Sequence, residues 1–402
     1  MARGNAWPWF GSGMRRAANR RISAGGSRSV IQPALTVVFA GLLLAGALAC
    51  ARAAGDIGVR IEKFTISRDD STYECFPSLT RLASGRLVLT YRESDTHSAS
   101  QYCRLIVRTS DDNGATFSPR RVLVEEVRTE AGLRKWNCPK VQQLADGRVL
   151  LLCDVYSVPP GEADLAASRV AFFFSKDDAA TWDGPVFTTM PGIMPDEVIE
   201  VEEGHWLLAT HLRDPSTGNL VQVVSHSQDG GKTWKEPVTI ASRKSYDFCE
   251  ASILKLPGGE LVCYMRENSS RGRPVYKSIS RDGGRTWEGP FPTLMESGHR
   301  PVAHLTRSGR VMVTYRHFPG ARSPWAKNTF AYLESVESAL EPERPRQSGI
   351  VLPLDHDRSA SPDSGYTGWV EYEPGRFLVV NYIRDDAPAA QIRGYRFSEC
   401  DF

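Results

Sequence analysis

Four arginines, one glutamate and two tyrosines occupy two repeated positions along this 402-residue sequence. Guanidinium groups bind carboxylates through paired hydrogen bonds and keep their charge, and a glutamate beside a tyrosine can accept its proton. The first position lies two residues before each of six similar fifteen-residue units and holds Phe76, Cys138, Pro195, Glu250, Arg300 and Tyr366. The second is the last residue of each unit and holds Arg92, Asp154, His211, Arg266, Arg316 and Tyr382. If the fold brings the two rows together, they predict a cationic pocket with an acid/base pair.

The units that carry these positions each read as a strand, a tight turn and a strand. Each has a glycine at its eighth position, which supplies the positive φ that a hairpin turn needs. The second strands are near-continuous apolar runs, as is typical of strands buried on both faces. The units are residues 78–92, 140–154, 197–211, 252–266, 302–316 and 368–382. Six such hairpins predict an all-β fold, a six-bladed β-propeller over residues 55–402.

A second repeat, Ser-x-Asp-x-Gly-x-Thr-Trp, occurs at 227–234 and 280–287, with variants at 110–117 and 175–182. Its aspartate falls 23 to 30 residues after the turn glycine of the first four units, which predicts a hairpin between the third and fourth strands of a blade. The aspartate is suited to accept hydrogen bonds from its own turn, so a structural role is predicted. Ala179 replaces the glycine in one copy, which predicts a loosened turn there.

Two strand patterns lie outside these repeats, at 58–67 and 390–397. The first is predicted to be the outer strand of the last blade, closing the ring. Because turns alternate between the two faces of a blade, the glycine turns and the aspartate boxes share one face. The two rows of chemically varied residues are therefore predicted on the opposite face, near the axis.

The boxes, together with the segments 249–266 and 365–382, resemble the bacterial sialidase (neuraminidase) superfamily over about residues 60–402. The resemblance implies that Tyr366 attacks the anomeric carbon, that Glu250 is its base, and that an aspartate is the general acid. It also implies three arginines that bind the substrate carboxylate, with Arg266 among them, and no metal or other cofactor. A neutral phenol suits this reaction because a carboxylate nucleophile would be repelled by the carboxylate of the substrate.

The sequence departs from the family pattern in the first blade. Cys75 stands where the family has the arginine of an Arg-Ile-Pro motif. Arg92 lies opposite Cys75 across the hairpin and is predicted to supply the missing charge, while the third arginine is Arg316 or Arg300. The predicted acid is Asp95, in the loop 92–100, with Glu93 and His97 as alternatives. The implied function is exo-acting hydrolysis of terminal sialic acid, or of a related acidic sugar, from glycans.

Other interpretations stay open. The missing first arginine favours a hydrolase or lyase for another acidic sugar, a uronate or a keto-deoxy acid, in which His211 and Tyr382 matter more. Glu250 could instead form an internal salt bridge with Arg266, and Tyr366 could be a packed aromatic, which would leave a non-catalytic glycan-binding or assembly propeller. Cys138 and Cys153 face each other across a hairpin, as a disulfide or as two buried thiols.

The composition and the N-terminus indicate the partners and the location of the protein. A net charge of +2 gives no indication of a nucleic-acid partner, and acidic glycans are the predicted partners. Residues 1–54 are predicted to be an export segment, because a basic stretch precedes an apolar run and Ala-Arg-Ala follows at 51–53. The mature protein is then secreted or periplasmic. An alternative makes Cys50 a lipid-anchored first residue, which is the one predicted membrane contact.

Overall fold

The computed structural model describes residues 58–158, 168–320 and 327–402. In these ranges the chain forms six antiparallel sheets arranged as the blades of a propeller, which confirms the predicted fold class. The predicted export segment and Cys50 lie outside the described residues. No helix in the described part is long and apolar enough to cross a membrane.

The first strand completes the last blade. The strand β1 (Glu62–Ser67) forms the outer edge of the sixth sheet. Blade 1 contains β2 (Tyr73–Arg81), β3 (Leu87–Ser94), β4 (Tyr102–Ser110) and β5 (Arg121–Val127). Blade 2 contains β6 (Leu133–Trp136), β7 (Lys140–Gln143), β8 (Val149–Val158), β9 (Arg169–Ser175) and β10 (Asp183–Phe187). Blade 3 contains β11 (Ile199–Glu202), β12 (His205–Arg213), β13 (Leu220–Ser227) and β14 (Val238–Ala241).

The remaining blades repeat this plan. Blade 4 contains β15 (Phe248–Lys255), β16 (Leu261–Glu267), β17 (Tyr276–Ser280) and β18 (Glu288–Pro292). Blade 5 contains β19 (Gly298–Leu305), β20 (Val311–His317), β21 (Asn328–Glu334) and β22 (Gly349–His356), with a short helix, α1 (Val336–Leu340), before β22. Blade 6 contains β23 (Ser364–Glu373), β24 (Arg376–Ile383) and β25 (Gln391–Ser398), and β1 pairs with β25 to close the ring as predicted.

Neighbouring blades are joined near the axis by side chains of the inner strands. The Ser78 hydroxyl of blade 1 accepts a hydrogen bond from a main-chain amide of blade 2 at 3.2 Å, and Ser252 of blade 4 does the same for blade 5 at 3.1 Å. Blades 6 and 1 approach closely at Gly368, where a Cβ would lie 2.5 Å from the Leu79 amide nitrogen. These contacts fix the inner strands, and therefore the ends of those strands, relative to one another.

The aspartate boxes are structural, as predicted. In the box of blade 1, Asp112 accepts hydrogen bonds from the Thr116 amide at 2.9 Å and the Thr116 hydroxyl at 2.6 Å. In the copy with Ala179, that residue takes a φ of +65° and its amide still donates to the Ser175 hydroxyl at 3.0 Å. The expectation of a loosened turn at Ala179 is therefore wrong, because alanine adopts the left-handed conformation and keeps the same hydrogen bond.

Candidate active site

A cavity of about 800 Å³ opens on the face opposite the aspartate boxes. Its walls include residues from both predicted rows: Phe76, Cys138, Glu250 and Tyr366 from the first, and Arg92 and His211 from the second. Further wall residues come from neighbouring loops and strands: His97, Ser98, Lys135, Asn137, Tyr156, Pro191, Gly192, Ile193, Met194, Leu212, Arg213, Leu220 and Asn268. The two rows therefore do meet around one cavity.

A repeated irregularity of the inner strands aims the first row at this cavity. The register of the first hairpin skips at the same place in blades 1, 4 and 5, so that Phe76, Glu250 and Arg300 each form a bulge. These three residues have φ values of +57°, +50° and +48°. A bulged residue in the left-handed region re-aims its side chain, and such strained positions concentrate at functional sites. The bulge thus turns the Glu250 carboxylate toward the axis.

In blades 3 and 6 the left-handed residue is the one that precedes the predicted axial residue. In blade 6 the left-handed residue is Gly365, with a φ of +99°, and Tyr366 follows it. In blade 3 it is Met194, with a φ of +56°, and Met194 lines the cavity, whereas the predicted axial residue Pro195 does not. Pro195 follows Met194 as Tyr366 follows Gly365, and its carbonyl oxygen accepts from Arg300 Nη2 at 3.4 Å.

Tyr366, Glu250 and Arg266 form one hydrogen-bonded cluster. The Tyr366 hydroxyl donates to Glu250 Oε1 at 2.7 Å, and Arg266 Nη1 donates to the same oxygen at 2.7 Å. Arg266 Nη1 also lies 3.2 Å from the Tyr366 oxygen. Tyr366 is 9% exposed and Glu250 is 7% exposed, so these two side chains are buried and yet form part of the cavity wall.

The protonation of this pair is asymmetric. Burial and the neighbouring Glu250 carboxylate raise the pKa of Tyr366 well above its ordinary value. Burial alone would raise the pKa of Glu250, but Arg266 and the Tyr366 hydrogen bond outweigh it and lower the pKa to about 2. The resting pair is therefore a protonated phenol beside a carboxylate that can accept its proton.

Three of the four predicted clamp arginines surround Tyr366 and do not line the cavity. Arg316 lies with its guanidinium carbon 4.4 Å from the centre of the Tyr366 ring, and its Nη2 donates to the Tyr382 hydroxyl at 2.7 Å. Arg300 lies on the same ring at 6.0 Å, and Arg266 bonds the phenol oxygen. Only Arg92 of the four is part of the cavity wall. Binding of a carboxylate by these arginines stays a prediction.

Asp95, the predicted acid, is used by its own loop. Its Oδ1 accepts hydrogen bonds from the amides of Ser100 at 2.7 Å and Gln101 at 3.0 Å, and it lines an adjacent cavity that does not contain Tyr366 or Glu250. Burial would raise the pKa of Asp95, but the hydrogen bonds from Ser100 and Gln101 outweigh it and lower the pKa. A carboxylate held in its ionised form is a poor proton donor, so this geometry does not support the assignment.

The two alternative acids of that loop, Glu93 and His97, lie in different surroundings. The alternative acid Glu93 is buried and accepts a hydrogen bond from Arg120 Nη1 at 2.9 Å, away from the cavity. His97, the second alternative, lines the cavity, and its Nδ1 lies 2.5 Å from Asp363 Oδ2. Sequence reasoning missed Asp363, although it stands only three residues before Tyr366.

The geometry can be compared with known proteins. Residues 118–326 match the BNR repeat-like domain family. This chain belongs to that family. The BNR propeller is 26% identical over 206 residues to a sialidase of Bacteroides fragilis (strain YCH46), an alignment that covers 49% of this chain and 36% of that sialidase.

Solved structures agree with the BNR propeller in fold. A Dyadobacter fermentans protein superposes with a TM-score of 0.67 at 22% identity, covering 85% of this chain and 99% of that one. A Hadza microbial sialidase superposes with a TM-score of 0.59 at 18% identity, covering 84% of this chain and 68% of that one. The predicted resemblance to the sialidase superfamily is thereby confirmed at the level of family and fold.

Two buried cations line the blade 1 and blade 2 side of the cavity in this BNR propeller. Arg92 lies opposite Cys75 in the strand register, as predicted, and donates to Asn137 Oδ1 at 2.8 Å and to the His97 carbonyl. Lys135 donates to the Ser98 carbonyl at 2.5 Å. All of these acceptors are neutral, so the two positive charges are hydrogen-bonded but not neutralised by them.

The cysteines near the cavity are thiols. Cys138 and Cys153, for which the sequence left a disulfide open, are both buried and unpaired. Among residues 58–158, 168–320 and 327–402, no group of three or more histidine, cysteine, aspartate or glutamate side chains could hold a metal ion.

Asp154 contacts Arg92 indirectly, through Asn137. Its ionisation makes the stability of the fold depend on pH. Its Oδ2 accepts a hydrogen bond at 3.1 Å from Asn137, the residue that holds Arg92. Burial raises the pKa of Asp154 to about 6. The folded state therefore binds this proton more tightly than the unfolded state does. The associated stability is complete below the ordinary pKa and is lost as the pH rises through about 6, at a cost of about 3 kcal/mol.

We expect Asp154→Asn to remove this dependence, because asparagine cannot ionise and its amide oxygen can still accept from Asn137. The free energy of unfolding, measured by urea denaturation, should exceed that of the wild type by up to about 3 kcal/mol at pH 8. At pH 4.5 the difference should be small. A variant that is equally destabilised at both pH values would contradict the assignment.

Proposed function

We propose that this BNR propeller is an exo-acting glycoside hydrolase that removes a terminal acidic sugar, sialic acid or a related one, from glycans. The observation that carries the proposal is the Tyr366 hydroxyl, which donates to the buried Glu250 carboxylate at 2.7 Å in the wall of an 800 Å³ cavity. The relative named a sialidase supports the same class of reaction.

The first half of the reaction uses the pair as nucleophile and base. The Tyr366 oxygen attacks the anomeric carbon as the bond to the leaving oxygen breaks, and its proton passes to Glu250 Oε1 along the existing hydrogen bond. The pKa of the phenol falls as its oxygen bonds to carbon, which offsets the unfavourable resting values. Two successive displacements at the anomeric carbon retain its configuration.

The arginines around Tyr366 act in the second half of the reaction. When water displaces the sugar, Tyr366 departs as a phenolate that takes its proton back from Glu250. Arg266 at 3.2 Å from the phenol oxygen, and Arg316 and Arg300 above the ring, stabilise negative charge that develops on this oxygen. These contacts act on the leaving group, and they account for the three arginines around one tyrosine.

The charge of the cavity supports an acidic substrate. Arg92, Lys135 and Arg213 line it, and Glu250, the one carboxylate that the described residues contribute to its wall, is already paired with Arg266. Burial and the neighbouring Arg92 lower the pKa of Lys135, as expected for a buried cation close to another cation. A substrate carboxylate bound at Arg92 and Lys135 would neutralise this wall.

A second candidate substrate is an acidic sugar other than sialic acid. The observation that favours it is the position of Arg266, Arg300 and Arg316, which contact Tyr366 and do not line the cavity. A substrate carboxylate bound at Arg92 would have a different position relative to the anomeric carbon than one bound at the three arginines around Tyr366. A uronate or a keto-deoxy acid then becomes the alternative, with His211 in the wall as a further contact.

A panel of fluorogenic glycosides tests the proposal. We expect the protein to release 4-methylumbelliferone from at least one acidic glycoside among sialosides, keto-deoxy acid glycosides and uronides. The 4-methylumbelliferyl glycoside of arabinose, a neutral sugar, is the control, and it should stay intact because a neutral sugar cannot neutralise Arg92 and Lys135. The readout is fluorescence, with circular dichroism to verify folding.

Each result has a distinct meaning. Cleavage of the sialoside supports the first candidate, and cleavage of a uronide or keto-deoxy acid glycoside alone supports the second. Equal cleavage of the arabinoside would contradict an acidic specificity. A folded protein that cleaves no glycoside but binds acidic sugars in calorimetry would favour a glycan-binding propeller. Export of the protein stays a prediction from its N-terminal sequence.

A further inference from the structure

His97 is placed where a proton donor for the leaving group should be. It lies in the loop between β3 and β4, its side chain is 49% exposed, and it lines the cavity that contains Tyr366 and Glu250. Its ring centre lies 5.3 Å from that of Phe76, and Phe76 in turn lies 5.2 Å from Tyr366. Phe76 thus contacts both His97 and the nucleophile, and all three side chains line the same cavity.

Asp363 fixes the orientation of this histidine. Its Oδ2 lies 2.5 Å from His97 Nδ1, and its Oδ1 accepts from Tyr382 at 3.0 Å and from Lys327 at 2.9 Å. Tyr73 also donates to Oδ2. A carboxylate at Nδ1 holds the hydrogen on that nitrogen and directs Nε2 the other way. The backbone is held as well, since the His97 carbonyl accepts from Arg92.

The carboxylate of Asp363 is kept ionised for this role. Burial would raise its pKa, but the hydrogen bond to His97 and the charges of Arg316 and Lys327 outweigh it and hold the pKa well below its ordinary range. An anion at Nδ1 keeps the ring in the orientation and tautomer in which Nε2 is the nitrogen that exchanges a proton with the substrate. Asp363 is therefore a positioning residue, and the histidine meets the substrate.

We infer that His97, oriented by Asp363, is the general acid and base of the reaction, in place of an aspartate. This inference rests on the proposed function. As the glycosidic bond breaks, the proton on His97 Nε2 passes to the departing oxygen, and the bonding pair leaves with that oxygen. In the second step the neutral Nε2 accepts a proton from the attacking water, so the imidazolium is restored and one water is consumed.

The other candidates for this role are already occupied. Asp95 accepts hydrogen bonds within its loop, and Glu93 is bonded to Arg120. His211 also lines the cavity, but its Nδ1 accepts from the Glu250 amide at 3.4 Å. Burial lowers the pKa of His211 to about 4, so it is neutral near pH 7 and has no proton to give at Nδ1.

The dependence on the leaving group tests the inference. A general acid matters most when the leaving group is a sugar hydroxyl and least when it is an activated phenol. We expect His97→Gln to slow hydrolysis of a natural acidic disaccharide by roughly 10²- to 10⁴-fold. With the 4-nitrophenyl glycoside of the same sugar, the first chemical step should slow by less than about tenfold. Asp363→Asn should show the same selectivity with a smaller loss.

Three outcomes would overturn the inference. The first is an equal loss on both substrates, which would indicate a structural role. The second is no loss on either substrate. The third is a selective loss in Asp95→Asn instead of His97→Gln, which would return the role to the aspartate. An inert wild-type protein would overturn the proposed function and this inference together, whereas these three outcomes leave the proposed function standing.

A measurement on the wild-type protein does not depend on any variant. Nitrogen-15 NMR distinguishes the two ring nitrogens of a histidine by their protonation. We expect the hydrogen of the neutral imidazole of His97 to lie on Nδ1, the nitrogen that faces Asp363, and not on Nε2. A neutral His97 with the hydrogen on Nε2 would contradict the pairing with Asp363 and overturn the inference.

Discussion

Tyr366→Phe is expected to lower turnover by on the order of 10³-fold or more while leaving the binding of an acidic sugar nearly unchanged. The substitution removes one oxygen, and that oxygen is both the nucleophile and the donor to Glu250 at 2.7 Å. The ring itself can stay in place against Phe76 and Arg316. Because Arg92 and Lys135 are unaffected, the substrate carboxylate keeps the partners proposed for it.

A matched control exists elsewhere in the chain. Tyr264 is buried, and its hydroxyl donates to Glu334 Oε1 at 2.6 Å, outside the cavity. Tyr264→Phe removes the same kind of hydrogen bond, so both variants should lose about 1–2 kcal/mol of unfolding free energy. Only Tyr366→Phe should lose turnover, measured as kcat on the cleaved glycoside, with binding measured by calorimetry.

Persistent turnover in Tyr366→Phe would show that another group attacks the anomeric carbon. Loss of turnover in both variants would instead indicate a general effect of stability. The comparison separates the two explanations because the paired residues are alike in burial and in hydrogen bonding and differ in their access to the cavity.

The blades and their closure could be predicted because their signals are local. Each turn glycine, such as Gly85 with a φ of +92°, is dictated by the two strands beside it. Each aspartate box closes on itself within eight residues, as at Asp112 and Thr116. Repetition of such self-contained turns gives the number of blades without any knowledge of how the blades pack.

Part of the candidate site could not be predicted because it depends on contacts that are distant in sequence. His97 and Asp363 are 266 residues apart and meet only because blade 6 closes against blade 1. Asp95 looked equally suited by residue type, and only the loop shows that its carboxylate is taken by Ser100. A pattern gives the face on which a residue lies, whereas the partner of each polar atom follows from the packed loops.

The arginines also show which features a sequence pattern predicts and which it does not. Their positions at strand ends predicted that Arg266 and Arg316 would converge near Tyr366, and they do. Whether a guanidinium faces the cavity or the tyrosine is decided by nearby acceptors, such as the Tyr382 hydroxyl for Arg316. No repeat in the sequence carries that information.

Glu250→Gln is the second substitution for which a loss on the order of 10³-fold in turnover is expected. Glutamine matches the shape of Glu250 and its amide oxygen can still accept from Tyr366 and Arg266, but it cannot take a proton. The pKa of Glu250 is lowered to about 2, since Arg266 and the Tyr366 hydrogen bond outweigh its burial. The carboxylate is therefore ionised from pH 4 to pH 9, and the loss should be the same across that range.

The same variant leaves Arg266 without its counter-charge. Breaking a buried ion pair by removing one charge destabilises a protein by a few kcal/mol, so the free energy of unfolding must be measured beside the kinetics. Glu334→Gln is the matched control, because Glu334 is a buried glutamate that accepts from Tyr264 without any place in the cavity. Its turnover should stay close to that of the wild type.

Combining the two active-site changes gives the sharpest test of their shared role. If Glu250 acts only by taking the proton of Tyr366, then removing the base adds nothing once the phenol oxygen is gone. Tyr366→Phe with Glu250→Gln should then be no slower than Tyr366→Phe alone, as for residues that act as a unit. Losses that multiply would mean that Glu250 acts on the substrate independently of Tyr366. Glu250 would then have a role other than accepting the proton of Tyr366, and the base for the phenol would have to be sought among the other residues around it.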